Sequence, residues 1–295
     1  MNRVLIIGGN GFVGGRLHQQ GVSRGYEVAI ADMAEIPMVD EQRYFRCDIR
    51  DQQQLTRTFA AFRPNLVVNV AAIADIDYAE KERERAWQVN VEGAANGARA
   101  ARRIGAKYIW FSSDAVFSGH DLSYDETALV NPVNFYGVTK KEGEILILNE
   151  NPSAIIVRLS LILGMPVVKG NSFLAGLVDK FKKGERIKVP EWEIRTPVDV
   201  DTLCRAIYEL YFLDYSGILH LGATDSINRY ELCKRIAMET GYPEELVISQ
   251  KHPPKDRAPR HENGVLSVSK AQSVLVDTQL LTCEETVMKA VSMIE

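Results

Sequence analysis

The sequence predicts an α/β fold: a doubly wound parallel sheet with helices on both faces, followed by a smaller α/β lobe. Three observations lead there. Through the first half of the chain, short runs of Val, Ile and Leu alternate with longer amphipathic stretches, the pattern of repeated strand–helix–strand units. The apolar runs are nearly continuous, as strands buried on both faces must be. The first of them opens into a glycine-rich turn, Gly8-Gly9-Asn10-Gly11-Phe12-Val13-Gly14, with a helical pattern directly behind it.

In chain order, strands are expected at residues 4–7, 27–31, 43–47, 66–70, 108–111 and 155–158, and helices at 12–23, 52–62, 83–103 and 136–149. Right-handed crossovers then gather the loops at the carboxyl ends of the strands on one edge, where ligands bind in such folds. After residue 158 the pattern loosens, punctuated by Pro166, Gly170, Gly184, Pro190 and Pro197. Helices are expected there at 173–182, 199–212, 229–240 and 284–293, and short strands at 186–189 and 218–221. The segment 251–260, Lys-His-Pro-Pro-Lys-Asp-Arg-Ala-Pro-Arg, is proline-rich and basic. It reads either as a solvated surface loop or as a mobile loop offering cations to an anionic substrate.

Composition narrows the class. The chain has 295 residues, 46% of them apolar and 25% charged, as in a globular protein large enough to build a ligand cleft. A net charge of −4 without a Lys/Arg stripe argues against a nucleic-acid partner. Cys47, Cys204, Cys233 and Cys283 form no Cys-x-x-Cys or Cys/His cluster, so reduced, buried thiols and no metal site are expected. No signal-peptide pattern opens the chain, and no apolar run approaches the ~18 residues of a membrane span, so the expectation is a cytoplasmic protein.

The turn at 8–14 carries the first chemistry. Glycines serve three needs in such a turn: the tight bend, close approach of backbone to a pyrophosphate, and close packing of helix on strand. Gly8, Gly11 and Gly14, or Gly9, Gly11 and Gly14, both fit the spacing. The helix start then offers unpaired N–H groups and a positive dipole end to the phosphates, so Asn10, Phe12 and Val13 are candidate cofactor contacts beside the glycines. Asp32 closes the second strand, roughly 20 residues on, where a Rossmann carboxylate accepts hydrogen bonds from the adenosine ribose. A carboxylate there repels a 2′-phosphate, so NAD is expected over NADP. Asp48 and Ile49, after the third strand, are candidates for the adenine edge. The chain thus divides into a dinucleotide-binding Rossmann domain, 1–160, and a substrate lobe, 161–295, with the chain free to cross back between them.

Tyr136 and Lys140 stand one helical turn apart and share a face. A phenol ordinarily ionises near ~10, and an adjacent ammonium favours the phenolate, so the pair is expected to lower the phenol's pKa and move a proton to or from a substrate oxygen while hydride moves at a nicotinamide. Ser113 ends the strand before them, where a hydroxyl facing the cleft can hold a substrate carbonyl.

With these residues in place, the chain resembles the extended short-chain dehydrogenase/reductases, the superfamily of NAD-dependent sugar epimerases, dehydratases and reductases, and most strongly the dTDP-4-dehydrorhamnose reductases. The likeness spans nearly the whole chain. It rests on the 8–14 turn; Val68-Asn69-Val70-Ala71-Ala72 with Asp77-Tyr78-Ala79-Glu80; Val89-Asn90; Phe111-Ser112-Ser113-Asp114-Ala115-Val116-Phe117-Ser118-Gly119; residues 131–140 and Glu144; Gly217-Ile218-Leu219-His220-Leu221; and Pro259-Arg260 through Leu266.

The resemblance implies Tyr136 as proton donor, Lys140 as holder of the ribose and tuner of the phenol, and Ser113 on the keto oxygen. Ala71 and Ala72 would line the cofactor path, and Asn90 would brace it. Asp114, Arg195, Arg260 and His261 are the implied substrate contacts, the last three toward phosphates or base of a nucleotide-sugar. A homodimer through a four-helix bundle is implied in the same way.

Two departures bear on the sugar. Ala115 stands where these reductases usually carry an aromatic ring, and the tryptophan they tend to have after the sixth strand is absent from Arg158-Leu159-Ser160-Leu161-Ile162. Three readings remain open: an NAD(P)H-dependent reductase of a nucleotide-activated 4-keto sugar; an epimerase, dehydratase or alcohol dehydrogenase of the same superfamily; and a non-catalytic subunit like the regulatory subunit of methionine adenosyltransferase, which resembles the same reductases.

Overall fold

Continuous apolar runs become a seven-stranded parallel sheet in the computed structural model, which describes residues 2–35, 40–167, 171–213, 215–254 and 257–294. Gly170, Lys255 and Asp256, part of the reading above, lie outside the described residues. The strands are β1 (Arg3–Ile7), β2 (Glu27–Asp32), β3 (Tyr44–Arg46), β4 (Leu66–Asn69), β5 (Lys107–Ser113), β6 (Ile155–Leu159) and a returning strand, Gly217–Leu221. Their order is β3-β2-β1-β4-β5-β6 and then the returning strand on the outer edge, and every pairing is parallel. The order reverses between β1 and β4, which opens a crevice at their carboxyl ends.

The sheet's period of two divides its core. Val4 and Ile6 of β1 face one side, with Leu17 of α1 (Phe12–Ser23) and with Leu203 and Ile207 from a helix of the second half. Leu5 and Ile7 face the other, with Leu55 and Phe59 of α2 (Gln52–Phe62). Asp51 caps α2, accepting from the Gln53 and Gln54 N–H groups, as a short side-chain acceptor does at a helix start.

Several elements differ from expectation. A short α3 (Ile76–Lys81), capped by Asp75, follows β4 where none was read. The helix expected over 83–103 is α4 (Arg83–Trp87), a π-helical turn (Gln88–Gly93) and α5 (Ala94–Ile104). The wider turn coincides with Asn90, whose amide is fully buried and pairs outside the helix. The next helix, α6, is Phe135–Glu150, capped by Asn134 through the Gly137 N–H.

The second half contributes α7 (Phe173–Lys182), α8 (Val200–Phe212), α9 (Arg229–Glu239), α10 (Ser269–Val274) and α11 (Cys283–Val291). Leu174, Leu177, Phe181, Leu232, Ile236 and Val287 form a separate core there. The strand expected at 186–189 is Ile187–Pro190, paired with Val247–Gln250. The strand expected at 218–221 belongs to the main sheet instead of the lobe, beside β6. Its apolar run signals a strand, but register is set by the partner, which lies far away in sequence. All four cysteines are buried and unpaired. No group of three or more His, Cys, Asp and Glu side chains suited to a metal occurs among the described residues. No helix among them is long and apolar enough to cross a membrane.

Candidate active site

The crevice is occupied by two connected clefts that share Gly8 and Gly11. One, of about 440 Å3, is lined by Asn10, Asp32, Met33, Ile49, Ala71, Ala72, Arg85 and Val89, among others. The other, of about 630 Å3, runs from Phe12, Val13 and Gly14 to Ser113, Tyr136 and Lys140 and on to Arg195, Arg260 and His261.

The turn between them explains its glycines. Gly8 has a φ of +81°, and a Cβ there would lie 2.7 Å from the Ala71 nitrogen. A Cβ on Gly14 would lie 2.5 Å from the Gly8 carbonyl, so α1 packs directly on the turn. Gly11 differs: a Cβ on it would meet only the Gly8 oxygen, at 3.3 Å. Its open side faces the clefts, and it caps α1 without a side-chain acceptor. The first N–H groups of α1 are therefore presented toward an anion. Asp32 accepts from the Asn10 N–H (3.0 Å) and the Ala34 N–H (3.1 Å), which fixes its carboxylate in the first cleft.

Not every sequence candidate joins them. Asp48 is clasped by the Arg50 guanidinium at 2.6–3.0 Å and is absent from the cleft wall, while Ile49 lines it. That guanidinium also holds the Asp48 carboxyl below the usual range. Asn90 lines neither cleft. Its side chain exchanges hydrogen bonds with both backbone groups of Ile73 and donates to Thr139 Oγ1 at 3.0 Å, tying the loop after β4 to α6.

Tyr136 and Ser113 meet because α6 sits on the turn after β5. A Cβ on Gly137 would lie 2.1 Å from the Ala115 carbonyl, so only glycine permits this approach. Ser113 Oγ donates to Asp114 Oδ1 at 3.0 Å and accepts from the Ala115 N–H at 3.1 Å. Lys140 is 2% exposed. It donates to the Phe111 carbonyl at 2.9 Å and lies 4.4 Å from the Trp110 ring centre.

Here the electrostatic expectation is corrected. Burial pushes the Tyr136 phenol above its ordinary value, with contact from Ser113 opposing and the Asp114 charge adding. Burial also pulls the Lys140 ammonium down to about 7, against Glu144. Helical spacing brings the two side chains together, but desolvation is the largest cause of both shifts. Beneath them Glu144 accepts from Ser112 Oγ (2.5 Å) and forms a two-point pair with Arg158 (2.8 and 2.7 Å), all buried.

The far wall is charged. Asp114 Oδ2 accepts from Ser160 Oγ at 2.8 Å and faces Arg195 Nε (3.4 Å) and His261 Nε2 (3.2 Å). Burial works against ionising Asp114, but His261, Arg195 and Ser160 outweigh it and hold the carboxyl at about 2. Arg195 is not free for a ligand: it donates to the carbonyls of Ile194, His261 and Glu262. Arg260 is tied to Asp77 at 2.8 Å. Sequence reasoning missed Glu193, 1% exposed, which gathers Arg195, Arg229 and Arg257 within 2.9–3.8 Å. These arginines come from separate segments with no motif to join them; only the basic 251–260 segment gave a signal.

The chain matches the family model described as the RmlD substrate binding domain over residues 1–294. It is 28% identical to methionine adenosyltransferase 2 subunit beta of Bos taurus over 278 residues, 92% of this chain and 82% of that one. It is 30% identical to dTDP-4-dehydrorhamnose reductase of Aggregatibacter actinomycetemcomitans over 239 residues, 78% of this chain and 76% of the relative. Among solved structures, it is similar to dTDP-4-dehydrorhamnose reductase from Bacillus anthracis str. Ames in complex with NADP, with a TM-score of 0.88, 27% identity and 100% of both chains covered.

Proposed function

The chain belongs to the RmlD substrate binding domain family, and from that premise we propose that it is an NAD(P)H-dependent oxidoreductase that reduces the carbonyl of a nucleotide-activated 4-keto sugar. The observation that carries this reading is one cleft wall holding the glycine turn, Ser113, Tyr136 and Lys140 together.

The residues fit a dinucleotide. The open side of Gly11 and the uncapped start of α1 suit a pyrophosphate, and the fixed Asp32 carboxylate suits a ribose with two free hydroxyls. When bound, a reduced nicotinamide supplies hydride to the carbonyl carbon. The protein's own part is binding and proton movement. Ser113 Oγ holds the carbonyl oxygen, and Tyr136 Oη gives it a proton as negative charge develops there. A phenol whose pKa is raised stays protonated across the neutral range, which suits donation, the reductive direction. Lys140 supports the phenol from the same helix face, and Arg229, Arg257 and Arg260 form the wall facing an anionic nucleotide.

Asp114, held ionised, is a poor proton donor, which weighs against a dehydratase that needs an acid beside the hydroxyl. The non-catalytic reading draws support from the subunit-beta relative. One experiment separates them: NADH and NADPH oxidation followed with dTDP-4-dehydrorhamnose and a panel of related keto sugars. Turnover that Tyr136→Phe abolishes supports a reductase. Cofactor binding without turnover across the panel removes that reading.

A further inference from the structure

His261 is buried in the wall of the catalytic cleft, 3% exposed; its Nε2 faces Asp114, and its Nδ1 has no hydrogen-bond partner among the described residues. Buried polar atoms without partners are uncommon and costly, and each calls for a reason. The side chain is nonetheless closely held. Its own carbonyl accepts from Arg195 Nη2 at 3.1 Å, and its Nε2 lies 3.2 Å from Asp114 Oδ2. The other oxygen of that carboxylate accepts from Ser113 Oγ at 3.0 Å. The imidazole therefore stands beside the hydroxyl placed on the reacting carbonyl, separated from it by one carboxylate.

We propose that His261 is a specificity-determining contact: backed by Asp114, its imidazole shares a hydrogen bond with a substrate ring hydroxyl next to the reacting carbonyl. This rests on the keto-sugar reading above. The carboxylate 3.2 Å from Nε2 orients the imidazole and leaves Nδ1 as the nitrogen still to be paired. A sugar hydroxyl, able both to donate and to accept, is a partner of matching size for that nitrogen. Ser160, whose hydroxyl donates to the same Asp114 carboxylate, and Ala115 line the cleft beside it. Sites of this kind reject an analogue lacking the hydroxyl because a buried polar group is then left unpaired.

The test uses the full-length protein in complex with NAD+, which cannot supply hydride, titrated by calorimetry with dTDP-4-dehydrorhamnose and with its 3-deoxy analogue. Wild type is expected to bind the hydroxylated compound roughly 10- to 100-fold more tightly. His261→Phe should weaken only that compound and bring the ratio near one, and His261→Asn should restore part of it. If His261→Phe does not fold, His261→Leu takes its place. Equal weakening of both compounds, a preference that survives the apolar variants, or failure of wild type to bind either compound overturns the assignment. NADH consumption by wild type is read separately. Absence of turnover alongside a His261-dependent binding preference removes the reductase reading and leaves the assignment standing.

Discussion

Lys140 Nζ lies 5.7 Å from the centre of the Tyr136 ring, on the same face of α6, yet its hydrogen bond goes to the Phe111 carbonyl 2.9 Å away. The pair is adjacent without being joined, and each partner is shifted by burial toward its neutral form.

Tyr136→Phe removes the proton donor and leaves the ring's packing in place. The expected result is a fall in kcat of roughly 100- to 10,000-fold, with cofactor affinity and thermal midpoint nearly unchanged. Steady-state kinetics together with fluorescence titration of NADH would check it. Retained turnover would remove Tyr136 from the chemistry.

Lys140→Met should stabilise the fold while impairing activity. The lysine falls from an ordinary 10.5 to about 7 on folding, so the unfolded chain binds more protons between those values and wild-type stability from this group rises with pH there. Above 10.5 the lysine is neutral in both states and costs nothing. Below 7 the folded protein must charge a buried amine. The gain from Lys140→Met is therefore expected to be on the order of a few kcal/mol below pH 7 and to fade by 10.5. Urea titrations of both proteins at several pH values measure it.

The Glu144–Arg158 pair makes a different demand. With both side chains buried, Glu144→Gln should cost about 3–5 kcal/mol by stranding a charge. The double change Glu144→Leu with Arg158→Met should recover much of that. An equal loss in single and double variants would mean that the pair's shape, not its charge, matters.

Two glycines of the turn should respond differently. Gly14→Ala, which places a methyl 2.5 Å from the Gly8 carbonyl, is expected to destabilise the protein. Gly11→Ala, with one contact at 3.3 Å, should fold and lose dinucleotide affinity. Thermal melts with and without NADH distinguish the two.

Asp32→Ser should raise the use of NADPH relative to NADH, because the carboxylate held by the Asn10 and Ala34 N–H groups no longer repels a 2′-phosphate. The ratio of kcat/KM values for the two cofactors is the readout.

What the sequence made legible follows from what is local. The β1 run, the glycine turn and α1 are contiguous, so spacing alone places them. Tyr136 and Lys140 share a helix, so their proximity is readable. Their protonation is not, because it depends on how deeply Trp110, Phe111 and Ala115 bury them. The same holds for the Glu193 cluster, whose arginines come from distant segments, and for Asp48, whose neighbour Arg50 claims its carboxylate. The π-helical turn at Asn90 follows no apolar period; it accompanies side-chain bonds to Ile73 and Thr139.

The returning strand Gly217–Leu221 has a practical consequence for anyone cutting this protein apart. Among the described residues, it alone covers the outer backbone edge of β6. A fragment ending near residue 160 would carry every residue of the glycine turn and the Ser–Tyr–Lys group, yet it would display Ile155–Leu159, apolar except for Arg158, as a bare border open to pairing with its own copies. Such a piece is expected to precipitate, so trials of the isolated amino-terminal half would report on aggregation and not on cofactor recognition.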